Sequence, residues 1–239
     1  MLSAYLLVYH GSRDPRPQAG VERLAQLVSQ SKVQVEGMPL VGTASLELSP
    51  VPLQDQIKAF GDRALASGYN NMQVVPLFLL PGVHVMEDIP VAVAIAQQSL
   101  GQEMKIDLQP YLGTHAGLKD LLANQLAATK AEAWIILAHG SRRAGSKQPV
   151  EAMAKQLEVV EAYWAVPPRL ESRVKDLVSA GHQQIGILPY FLFAGGITDA
   201  IAQSVEQLKV QFPNALFHLA NPLGASAELA ELIVDLVEK

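Results

Sequence analysis

Three residues of the kinds that bind divalent metals or move protons each close a short apolar run. His10 follows "AYLLVY", Glu47 lies in "ASLELSP", and His84 lies in "FLLPGVHVMEDIP". Gly11 and Ser12 after His10, and Pro81–Gly82 before His84, read as the turns that follow strands. Two imidazoles and a carboxylate make a donor set suited to borderline divalent ions such as Fe²⁺, Co²⁺ or Zn²⁺. Imidazole is also the side chain best able to accept a proton near neutral pH. Each residue alone has an ordinary reading as a structural or solvated strand-end group. A site is expected because all three should reach one edge of one sheet.

The elements that would bring them there are legible in the hydropathy pattern. Candidate strands are 4–9, 39–47, 72–79, 105–110, 133–138, 159–165, 184–192 and 215–219. Amphipathic helical segments lie near 17–31, 53–67, 87–99, 115–130, 147–157, 169–180, 198–211 and 225–238. Strands that are apolar throughout and alternate with helices imply parallel sheets covered on both faces. Right-handed crossovers place every strand's C-terminal end on one edge, where such sheets bind ligands.

The second half repeats the first. "HGSR" at 10–13 returns at 139–142, "SPVPLQDQI" at 49–57 matches "VPPRLESRV" at 166–174, and Pro76 falls over Pro189. "YLGTHAGLKDLL" at 111–122 matches "PLGASAELAELI" at 222–233. A tandem duplication follows, with domains 1–131 and 132–239, four parallel strands in each, and the active-site cleft between them. In this alignment Glu47 falls over Trp164 and His84 over Ile197, so only His139 survives, opposite His10. The second half is therefore expected to shape the cleft without being a second centre. Ser12 and Arg13 stand at the first strand mouth; Ser141, Arg142, Arg143 and Lys147 stand at its copy. Of the other histidines, His115 is expected to start a helix capped by Thr114, His182 to be solvated, and His218 to have no role.

Composition narrows the function classes. Hydrophobic residues make up 49% of the 239 and charged residues 17%, as in a packed globular protein. The formal net charge is −5, without long like-charge runs, so no nucleic-acid footprint exists and an anionic ligand needs a local basic cluster. With no cysteine, disulfides and thiolate metal sites are excluded. The N-terminus lacks a basic signal-peptide region, and no apolar run approaches the ~20 residues of a membrane helix. A soluble cytoplasmic or stromal protein is expected. Neither a phosphate-binding G-x-x-x-x-G-K-[ST] loop nor the G-x-S-x-G elbow of an α/β-hydrolase occurs.

"HGSRDPR", "LELSP" and "PLFLLPGVHVMEDIP" together resemble the sirohydrochlorin chelatases of the CbiX/SirB type, the class II, ATP-independent chelatases of tetrapyrrole synthesis. The resemblance spans the chain and fits the family's long form, in which two chelatase-like halves are fused. It implies two flavodoxin-like α/β/α halves and insertion of Fe²⁺, for sirohaem, or Co²⁺, for cobalamin, into sirohydrochlorin. His10 and His84 match the family's active-site histidines, and Glu47 the acidic residue near them. No resident cofactor is implied, since the metal is a substrate. A monomer is expected, because the fused halves replace a short-form dimer. The basic residues at the two mouths would receive the substrate's eight carboxylates. A non-catalytic metal or tetrapyrrole carrier would use the same ligands and differ only in lacking turnover.

Overall fold

A computed structural model of the chain describes residues 3–31 and 39–238. Within these, eight strands alternate with eight α-helices. The strands are β1 (Ser3–Tyr9), β2 (Val41–Ser45), β3 (Asn71–Pro76), β4 (Lys105–Leu108), β5 (Ala133–Ala138), β6 (Val160–Tyr163), β7 (Gln184–Pro189) and β8 (Leu216–Leu219). The helices are α1 (Pro15–Ser31), α2 (Leu53–Ala66), α3 (Ile89–Leu100), α4 (Leu118–Ala127), α5 (Gln148–Leu157), α6 (Leu170–Ser179), α7 (Gly196–Gln211) and α8 (Ala227–Glu238). Two parallel four-stranded sheets result, ordered β2-β1-β3-β4 and β6-β5-β7-β8. This is the expected α/β architecture of two tandem halves.

Several strands end earlier than the apolar pattern does. β3 stops at Pro76 although "LFLL" continues, because residues 77–83 leave the sheet to form the loop ahead of His84. Residues on both faces of β1 are buried, as a covered parallel strand requires. Ala4, Leu6 and Val8 join a core with Ile57 and Phe60 of α2 and Ile89, Val93 and Leu100 of α3. Strand alternation turns Tyr5 and Leu7 to the opposite face, which α1 and α8 cover with Leu24, Val28, Leu229 and Ile233, all fully buried. Fully burying each such side chain contributes about 1.5–3 kcal/mol.

The compact units do not follow the sequence repeat. The repeat divides at 131, but the first unit comprises Met1–His115 with Ala225–Lys239, and the second comprises Ala116–Gly224. Each half has given its last helix away: α8 lies against α1, and α4 lies against α5. His115 shows the consequence. Thr114 caps no helix; its hydroxyl donates to the Tyr111 carbonyl at 2.7 Å and closes a short 3-10 turn, and α4 starts only at Leu118. The His115 imidazole, 7% exposed, instead meets the Asp235 carboxylate of α8 at 2.7 Å. Its expected role at a helix start gives way to that of a latch for α8. No described helix is long and apolar enough to cross a membrane.

Candidate metal centre

His10, Glu47 and His84 come together at the C-terminal edge of the first sheet, their donor atoms all within 4.8 Å of one another. The Glu47 carboxylate lies beside both rings, 4.0 Å from His10 Nδ1 and 3.7 Å from His84 Nε2. Both distances exceed a hydrogen bond. They match two donors sharing one ion, since ligands about 2.1 Å from a metal are less than ~4.2 Å apart. The two rings meet edge to face, centroids 4.9 Å apart, and Phe78 lies 6.4 Å from each.

Backbone geometry fixes each group. The Glu47 amide donates to the His10 carbonyl at 2.8 Å, continuing the β1–β2 ladder past both strand ends. Gly11 between them has φ +97°, and a Cβ there would overlap the Glu47 carbonyl oxygen. Only glycine combines that conformation with so close an approach. His84 opens a π turn, His84–Asp88, that leads into α3. The Ile89 amide closes this wide turn on the His84 carbonyl, and Pro90, which has no N–H to donate, follows at the helix start. π turns of this kind gather at functional sites.

The turn also brings in a residue that sequence reasoning missed. Asp88 Oδ2 lies 2.8 Å from His84 Nδ1. An ionised carboxylate only accepts, so Nδ1 donates to Asp88 and Nε2 is the ring nitrogen nearer Glu47. This carboxylate–imidazole pairing recurs behind metal-bound histidines. The signal was available: Asp88 stands four residues after His84, on the same face of a helical turn.

The other expected residues are divided between the units. Ser12 accepts the Asp14 amide at 3.0 Å and shapes the turn after β1. Asp14 holds Arg16 at 2.5 Å, and Arg13 precedes them. In the second unit Ser141 accepts the Arg143 amide at 3.2 Å, reproducing the Ser12 turn. Ser141, Arg142, Arg143 and Lys147 line a cavity of about 630 Å³. The Lys147 ammonium is engaged there, 2.6 Å from the Pro167 carbonyl and 5.2 Å from the Tyr163 ring centre.

The ladders also correct the internal alignment by one residue. Leu46 and Glu47 donate to the carbonyls of Tyr9 and His10; Trp164 and Ala165 donate to those of Ala138 and His139. Ala165, and not Trp164, therefore occupies the Glu47 position. The one-residue gap falls in the following loop, ahead of α2 and α6.

Comparison with known proteins identifies the family. The CbiX family model matches residues 4–129 and again 133–239. The chain belongs to the CbiX family. A sirohydrochlorin cobaltochelatase of Priestia megaterium is 27% identical, the match covering 100% of this chain and 80% of the relative. A sirohydrochlorin ferrochelatase of the same organism is 24% identical, over 97% of this chain and 88% of its own. Among solved structures, SirB from Bacillus subtilis with Fe³⁺ superposes with a TM-score of 0.78 at 23% identity, covering 100% of this chain and 95% of that one. The double match to the family model restates the duplication, and the solved structure supports the fold.

Proposed function

We propose that the protein inserts Fe²⁺ or Co²⁺ into sirohydrochlorin without nucleotide. The observation that carries this reading is the His10–Glu47–His84 cluster in a CbiX-family fold. Insertion exchanges one divalent ion for the two protons of the macrocycle's pyrrolic N–H groups. One part of the site must hold the ion without its full water shell, and another must take up protons. His84, with Nδ1 tied to Asp88, and the adjacent Glu47 carboxylate suit the first task. His10 suits the second: its side chain is 54% exposed against 33% for His84, so it can pass each proton to solvent.

The surroundings fit a large, acidic, flat substrate. Leu48, Val83 and Met86, neighbours in sequence of Glu47 and His84, expose apolar side chains suited to a macrocycle face. Ser12, Arg13, Ser141, Arg142, Arg143 and Lys147 are assigned to the carboxylate side chains. The duplication supports action as a monomer. Purified protein, sirohydrochlorin and Fe²⁺ or Co²⁺, mixed anaerobically without nucleotide, should change absorption faster than the uncatalysed mixture. Binding of both partners with no acceleration would instead describe a carrier.

A further inference from the structure

The strand edge of the second unit has kept the shape of the metal centre and reversed its charge. Hydrogen bonding identifies the equivalent positions. The Ser12 and Ser141 turns place Arg13 over Arg142 and Asp14 over Arg143. The ladder ends place Glu47 over Ala165. The residues preceding α2 and α6 place Pro52 over Arg169. Over these four positions the formal charge is −1 in the first unit and +3 in the second. All four residues of the second unit line the 630 Å³ cavity, in which Glu151 is the one acidic lining residue among the described residues. Because the chain as a whole is acidic, at −5, this concentration of guanidinium groups is local.

We propose that this cavity is an anchoring site of the second unit, able to bind the tetrapyrrole through its carboxylates without the metal centre. The proposal rests on the chelatase reading and adds Arg169 to the binding residues. Guanidinium groups present forked donors matched to carboxylates. Here they come from two loops, one after β5 and one before α6, an arrangement for several separated carboxylates and not for one compact anion. Arg169 is held in place by donation to the Trp164 carbonyl at 3.2 Å. Lys147, tied to the Pro167 carbonyl, braces one loop against the other. The duplicated site has thus exchanged metal ligands for substrate anchors.

The test uses the full chain and metal-free sirohydrochlorin, followed by its own absorption and fluorescence. A His10→Ala/His84→Ala variant should bind it within about threefold of the wild-type affinity. Adding Arg142→Ala, Arg143→Ala and Arg169→Ala to that variant should weaken binding by roughly tenfold or more, with the salt dependence falling as well. Because a triple change can disturb folding, the single reversal Arg142→Glu at this exposed position provides a second measure. It should weaken binding severalfold with an unchanged melting temperature. Citrate should compete better than inorganic phosphate. Loss of binding in the double-histidine variant, unchanged binding in the arginine variants, or equal competition by phosphate would each overturn the proposal. A wild-type protein that binds the tetrapyrrole through these arginines but never inserts metal would sink the chelatase reading alone.

Discussion

The two strand edges share backbone geometry and differ in almost every reactive group. His139 stands where His10 does, and Phe191 keeps the place of Phe78. Glu47 has become Ala165, His84 has become Ile197, and Asp88, which orients His84, has become the fully buried Ile201. Even the glycines after the two histidines differ in what they avoid. A Cβ at Gly11 would strike the Glu47 backbone, whereas one at Gly140 would strike the side chains of Tyr163 and Val166. A duplicated turn therefore preserves a place for chemistry without preserving the chemistry. The candidate metal centre combines a carboxylate beside two imidazoles with a second carboxylate behind one of them. His139 keeps neither the neighbouring carboxylate nor the second imidazole, because Ala165 and Ile197 stand in their places.

Kinetics of three histidine variants would test that contrast most severely. His10→Ala and His84→Ala should each lower kcat by about 10²-fold or more, the scale of losing a proton-transfer group, while His139→Ala should change it by no more than severalfold. Calorimetry should further separate the two strong variants, His84→Ala losing Co²⁺ binding and His10→Ala retaining most of it. A His139→Ala enzyme as impaired as His10→Ala, with folding intact, would break the asymmetry.

Asp88 offers a finer probe, because it acts through His84. Asp88→Ala should weaken Co²⁺ binding by roughly 10–100-fold with the KM for the tetrapyrrole little changed. Asp88→Asn, which keeps an acceptor for the His84 Nδ1 proton, should recover part of the loss. A change in the tetrapyrrole KM equal to that in metal affinity would show a general disturbance of the loop.

The contrast can also be run backwards. Ala165→Glu with Ile197→His rebuilds the donor set around His139, and the binding stoichiometry for Co²⁺ should rise from one to two. Without a counterpart of Asp88 the new site should be about tenfold or more weaker than the first. A stoichiometry that stays at one would mean that backbone correspondence alone does not set donor geometry.

The smallest effect concerns Asp14, whose counterpart is Arg143. Hydrogen bonds from the Arg16 side chain, and then from its amide, hold the Asp14 carboxyl down at about 2. A depressed carboxylate contributes stability above its ordinary pKa near 3.8 and loses it as pH falls toward 2. Asp14→Asn should therefore lower the melting temperature slightly at neutral pH, the difference from wild type closing between about pH 4 and pH 2. A difference that persists at pH 2 would assign the effect to the turn and not to the charge.

Much of this was legible because it depends on local pattern. Eight apolar runs with helices between them specified parallel sheets with every strand's C-terminal end on one edge, whereas the strand orders β2-β1-β3-β4 and β6-β5-β7-β8 came from the structure. His10, Glu47 and His84 could be brought together before any coordinates because each lies in the segment that follows a strand of the same sheet. Asp88 was overlooked because "DIP" reads as a helix start near 87, which leaves His84 outside the helix and hides the four-residue spacing that joins the two. The Glu47–Ala165 equivalence was missed by one residue because a single gap in a short loop leaves almost no trace in two diverged repeats.

By itself the sequence determined the duplication, the fold class and the loss of reactive groups in the second half, since these are properties of residue type and order. Only the tertiary structure decided which helix covers which sheet. α4 and α8 are both amphipathic, and either fits the open face of either sheet as far as periodicity can tell. Long-range burial of residues such as Leu122, Leu229 and Ile233, with the His115–Asp235 contact, selected the exchange of last helices. The tertiary structure likewise set the spacing of the metal centre and the reversed charge of its copy. Both depend on side chains that lie far apart in sequence and meet only when the strands are in register.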